Sequence, residues 1–187
     1  MEKHMKFQQL NEAIDWILKG ESLEEQVIRA KDLGRNDATF VEFIKIGVLP
    51  EMKLQGLPEG LPDTYKVEND MPDGISDTTA RNELRRIKNF CPGGTMAGLK
   101  PAKKEMLWIG ILEGLHWKEA EVLTLIKDQT LFTKYPALEV VLAEVGIVAR
   151  INKPEKKESK PRAPRKFKVA SGKVVDVDNL IQKIQEA

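Results

Sequence analysis

Residues 101–146, PAKKEMLWIGILEGLHWKEAEVLTLIKDQTLFTKYPALEVVLAEVG, hold the longest unbroken apolar patterning in the chain and two of its three tryptophans, Trp108 and Trp117. Leu107, Ile111, Leu112 and Leu115 recur at spacings that share one side of a helix starting near Ala102. His116 marks a turn, and Lys118, Glu119 and Ala120 open a second helix with Ala120, Leu123, Ile126 and Leu131 inward. Glu119 and Glu121 suit the positive end of that helix, and Lys127 suits the other. After a short connector, residues 137–145 predict a third helix packed through Leu138, Val141, Leu142 and Val145. Apolar stripes of this kind have to be covered, and the rest of the chain must supply the cover.

More helix precedes this stretch. In residues 7–19, Leu10, Ala13, Ile14, Ile17 and Leu18 form one stripe, and Gly20 ends it by adopting a left-handed backbone. Ser22 with Glu25 reads as a capping box for a helix to about Leu33, closed by Gly34. Asp37 caps the next, with Phe40, Val41 and Ile44 on one face and Gly47 and Pro50 stopping it. Residues 50–76 then carry four prolines, Pro50, Pro58, Pro62 and Pro72, interleaved with Gly56, Gly60 and Gly74. No regular element survives that density of breakers. A loop this long is functional or packed down. Leu54, Leu57, Leu61, Tyr65 and Met71 point to a strap across the bundle.

Ser76 or Asp77 is placed to cap a further helix, with Leu84, Ile87 and Phe90 inward. Arg81, Arg85 and Lys88 share its outer face, with Arg86 beside them. Guanidinium forks in such a row match phosphate oxygens, and a solvated face with local pairs to Glu83 or Asp77 is the plain alternative. The run CPGGTMAGLKP lacks the P-loop and dinucleotide patterns and reads as a connector. The 137–145 helix has no Arg, Lys, Asn or Gln to read base edges, which argues against a DNA-reading helix-turn-helix.

Charge divides the chain. From Arg150 to Lys173 there are ten Lys/Arg and two Glu, a net of +8. Residues 174–187 carry one Lys and three acids, a net of −2, so a chain of total charge +1 leaves −5 for its first 149 residues. The segment INKPEKKESKPRAPRKFK is almost free of apolar side chains, and such a composition predicts an extended or disordered arm. Lys160, Arg162, Arg165, Lys166 and Lys168 are spaced for phosphate contacts, and Phe167 for stacking on a base. FKVASGKVVDV then reads as a hairpin turning at Ser171-Gly172, followed by a helix capped by Asp178.

The fold expected is mainly α: a small helical bundle (1–149) with a long Pro/Gly-rich loop, a basic flexible linker (150–165), and a C-terminal β-hairpin plus helix (166–187). One domain with appendages suits 187 residues. Cys91, the lone cysteine, makes no intramolecular disulfide, and the first residues have no apolar signal segment. Both point to the cytoplasm. His4 and His116 are far apart in sequence, and no paired carboxylates, nucleophile–base spacing or metal motif stands out. No enzyme and no cofactor is implied.

Three blocks, RNDATFVEFIKIGVLPEMKLQGLPEGLPD, MPDGISDTTARNELRRI and LEGLHWKEAEVLTLIKDQTLFTKYPAL, resemble an uncharacterised protein family of large tailed bacteriophages. Its LPEG element is matched by residues 57–60. Its L-[EQ]-G-L-H-P-K-E-A-E run is matched by residues 112–121, with Trp117 in place of the usual proline. Lys127-Asp128-Gln129 departs from its K-D-K turn at the last position. The resemblance spans roughly residues 20–145 and implies a phage origin, so the cytoplasm is the host's, or the protein is carried in the virion. The family has no established activity, and no site residue carries over. A non-enzymatic accessory protein binding DNA or RNA, or a nucleoprotein complex, through the arm is the leading expectation, with Arg81, Arg85 and Lys88 as a second contact. The alternative is a protein-interaction module, in the virion or on host machinery, whose tail docks on a partner.

Overall fold

The computed structural model describes residues 7–66, 72 and 74–147, and the backbone of residues 166–168 and 174–176. The chain divides into two units, Met1–Lys153 and Pro154–Ala187. The first is helical: α1 (Leu10–Leu18), α2 (Leu23–Asn36), α3 (Ala38–Val48), a 3-10 turn (Pro50–Met52), α4 (Ala80–Lys88), α5 (Pro101–Leu112), α6 (Trp117–Asp128), α7 (Leu131–Lys134) and α8 (Pro136–Glu144). The mainly α architecture holds.

The centre of this unit is α6, which packs against α1, α3, α4 and α7. Ala120, Val122, Leu123 and Ile126 are buried on it, as expected for the most part, but so are Glu119, Thr124 and Lys127. With four helices packed on it, α6 keeps only a narrow outer face, and these three polar side chains fall on covered ones. Around it the core gathers Ile14 and Ile17 of α1, Phe43 and Ile46 of α3, Ile87 of α4, Trp108 and Leu112 of α5, and Leu138 and Val141 of α8. Trp108 is fully buried with its ring edge against Phe90 (centroids 5.8 Å apart), while Trp117 lies at the rim.

Several boundaries differ from the sequence reading. Helix α2 runs through Gly34 to Asn36. A Cβ at Gly34 would lie 2.8 Å from Ile147 Cδ1, so this glycine makes room for a later segment and does not stop a helix. Gly20 is likewise not left-handed; a Cβ there would meet Gln26 at 2.8 Å. Ser22 caps α2 through the Glu25 amide, but the Glu25 carboxylate reaches the amide of Glu21 (2.8 Å) in place of Ser22's. The cap of α4 is Thr79, whose side chain accepts from Asn82 N. Ser76 is diverted, its Oγ donating to Thr78 O (2.7 Å). The expected 137–145 helix is preceded by the single turn α7, and Leu131 is buried there.

The Pro/Gly-rich loop packs down through Leu54 and Pro62, with Leu57 and Tyr65 half-buried. Leu61 instead stands out at 38% exposure, and Met71 lies outside the described residues. No helix among the described residues is long and apolar enough to cross a membrane. In the second unit, Lys166–Lys168 (β1) and Val174–Asp176 (β2) pair antiparallel, Phe167 opposite Val175. The turn at Ser171-Gly172 and the helix from Asp178 lie outside the described residues.

Candidate functional site

The cations of α4 do not form one free row. Arg81 is mostly buried, with NH1 donating to Asp37 Oδ1 (2.7 Å) and NH2 lying 2.5 Å from Oδ2. Asp37 also accepts from the Phe40 amide as the cap of α3. Burial pushes its carboxyl up, but the guanidinium and the Phe40 and Thr39 amides outweigh that and hold it below the usual range. Lys88 reaches Glu42 at 2.5 Å, and Glu42 also pairs with Lys45 (2.6 Å). Arg86 pairs with Glu83 (2.8 Å). Arg85 is exposed and makes no ion pair among the described residues. Of the three predicted cations, Arg85 alone points an uncommitted charge outward; the other two tie α4 to α3. The periodicity placed them on one side of a helix, but their acidic partners come from α3 and its cap, 44 and 46 residues away.

Lys160, Arg162 and Arg165 lie outside the described residues, and Lys166, Phe167 and Lys168 are described as the backbone of β1. Cys91 is half-buried and donates to Met52 O (3.2 Å); burial pushes its thiol up, away from nucleophilic character. Among the described residues no group of three His, Cys, Asp or Glu is placed to hold a metal.

Two polar clusters were not foreseen. The first joins the LPEG element to the end of α6. Lys127, 2% exposed, donates from Nζ to Pro58 O (2.5 Å) and pairs with Asp128. Asp128 Oδ2 accepts the Gly60 amide (2.9 Å). Gln129 is left-handed (φ 60°), and its Nε2 donates to Leu49 O (2.8 Å) and Ile46 O (3.3 Å), closing the end of α3. Lys104, also buried, reaches Gln55 O (3.4 Å). Gly56 has φ +71°, and a Cβ there would meet Lys104 Nζ at 2.9 Å. The two sequence blocks, LPEG and the KDQ turn, are therefore partners in space: the second clamps the first. Lys127 at a helix end read as a dipole partner because spacing alone does not reveal a carbonyl arriving from residue 58.

The second cluster centres on Glu119. Its carboxyl is fully buried, and Oε1 accepts the Leu10 amide at the start of α1 (2.9 Å). The Ala80 amide at the start of α4 faces it too. Oε2 has no hydrogen-bond partner. Burial pushes this carboxyl up to about 7; the Leu10 and Ala80 amides and the Arg81 guanidinium pull the other way, and Glu12 adds to the rise. His116, fully buried, caps α6 by accepting the Lys118 amide at Nδ1 (3.3 Å). The cluster is closed to solvent, so it links helices and receives no substrate. A hint was available in sequence: Glu119 stands one residue before the inward Ala120, on the flank of the buried stripe.

No curated protein and no solved structure matches the chain. A family of unknown function, DUF6433, matches residues 31–133, more than half of the chain. The matched residues take in the loop, its α6 clamp and Glu119, and end before the basic arm. On that match, the chain belongs to the family of unknown function DUF6433.

Proposed function

We propose that this chain is a non-enzymatic accessory protein of a bacteriophage, acting in the host cytoplasm, that binds nucleic acid or a nucleoprotein complex through its basic C-terminal arm. The observation that carries the reading is the charge division: +8 over residues 150–173 against −5 over the first 149. An acidic body is repelled by a polyanion, while clustered cations displace condensed counterions from it. Lys160, Arg162, Arg165, Lys166 and Lys168 then contact phosphates and Phe167 stacks on a base. Arg85 adds a body contact. Residues 166–187, as a hairpin and helix, end the arm as a small element.

Titration of a fluorescent DNA or RNA oligomer tests the reading. Six phosphate contacts, five on the arm and one at Arg85, give a log–log salt slope of about −5 on duplex DNA. Binding is lost in the full-length double variant Arg162→Glu/Arg165→Glu and in a chain ending at residue 149. Equal binding by the truncated chain would end the proposal. A second reading, docking on a protein, draws on the exposed apolar side chains Ile28 (66%) and Met106 (72%). Partners captured from infected cells that survive nuclease treatment favour it.

A further inference from the structure

Helix α5 carries apolar side chains on both of its sides. Lys104, Trp108, Ile111 and Leu112 are buried on the inner one. On the outer one, Ala102, Lys103, Met106, Gly110 and the cap residue Glu113 are exposed, and Ile109 is half-buried. At about 100° per residue these six share one arc of roughly 120°, with Met106 near its middle. Met106 is 72% exposed, more than any other large apolar side chain among the described residues. An apolar face on a helix that already buries its other side calls for a partner.

Gly110 finds no use within the described residues. It sits mid-helix without a left-handed φ, and a Cβ there would meet nothing within 4 Å, so alanine would fit and would strengthen the helix. A bare backbone at this point leaves a hollow into which the side chain of a second helix can drop, and lets the two axes approach to about 8 Å. Lys103 and Glu113 are also uncommitted, since neither makes an ion pair among the described residues.

The face is its own complement. Counted outward from Trp108, Met106 and Gly110 lie at equal distances on either side, and so do Lys103 and Glu113. In an antiparallel pair of α5 helices crossing at Trp108, each Met106 comes level with the Gly110 of the other copy, and each Lys103 with its Glu113. Knob meets hollow twice and cation meets anion twice. A two-fold interface needs this mirror order because one patch faces itself.

We propose that the outer face of α5 binds a second copy of this chain, antiparallel, about a two-fold axis beside Trp108. One helix pair buries less than the ~800 Å² per partner of a standard interface, so the dimer is weak, with a Kd on the order of micromolar. The pairing is independent of what the basic arm binds.

Sedimentation equilibrium of the full chain from about 5 to about 500 µM tests it. The apparent mass is expected to rise from one chain toward two across that range. Gly110→Leu fills the hollow, and Lys103→Glu sets like charges opposite each other at both ends; each raises Kd by about tenfold or more. The double variant Lys103→Glu/Glu113→Lys exchanges the signs and returns Kd to within about threefold of the wild type. Its two new charges suit the ends of the helix dipole, so it keeps the fold. A wild-type chain still monomeric at about 500 µM overturns the proposal and leaves this face to a foreign partner. A dimer indifferent to Gly110→Leu and Lys103→Glu, or one that the double variant fails to restore, overturns it as well.

Discussion

Two buried polar side chains, Glu119 and Lys127, lie on the same helix and are served differently. Lys127 has a carbonyl and a carboxylate as partners, and Glu119 has amides and an orphan oxygen. The raised Glu119 carboxyl makes the native state bind a proton that the unfolded chain has lost. Stability from this group is present below 4.5 and is lost as pH rises toward about 7. At ~1.4 kcal/mol per pKa unit the loss is about 3 kcal/mol. Asp37 has the opposite sign: its lowered carboxyl contributes above its ordinary 3.8 and the contribution goes as pH falls below that. Urea denaturation is expected to find maximal stability near about pH 5, declining on both sides, with Glu119→Gln flattening the neutral side only. Lys127→Met strands the Pro58 carbonyl and the Asp128 carboxylate. A loss of about 2–3 kcal/mol and faster proteolysis within residues 50–66 are expected.

At the scale of elements, caps decide where helices start and stop. Thr79→Ala should cost about 1 kcal/mol, and Asp77→Ala close to nothing, because Thr79 holds the Asn82 amide. Thermal unfolding of the two variants distinguishes the caps. Gln129 is left-handed where glycine is the usual choice, a strain of roughly 1–2 kcal/mol accepted because its side chain closes the carbonyls of Ile46 and Leu49. Gln129→Ala keeps the strain and loses the bonds; Gln129→Gly loses the bonds and the strain. The glycine variant is therefore expected to be more stable than the alanine variant by about 1 kcal/mol, measured by chemical denaturation.

For the molecule as a whole, the proposed nucleic-acid contact is an electrostatic matter, and salt is its probe. With six phosphate contacts, raising salt from about 50 to about 200 mM should weaken binding roughly 10³-fold. Arg85→Glu in the full chain should reduce the salt slope by about 1, while Glu113→Gln, an exposed site outside the α4 cation row, leaves it unchanged. Oligomer titrations across that range check both.

The amino-acid sequence by itself determined the helices, because a stripe such as Leu10, Ile14 and Ile17, or Leu138, Val141 and Leu142, repeats within one turn and needs no partner to be read. It also determined the caps at Ser22 and Asp37, since their bonds close within three residues. Only the tertiary structure decided that α6 lies at the centre, that Glu119 and Lys127 go inside with it, that Arg81 and Lys88 are matched by α3, and that Gly34 makes room for Ile147. The contacts that fix these residues reach groups 44 to more than 100 residues away, and periodicity carries no record of contacts over such distances.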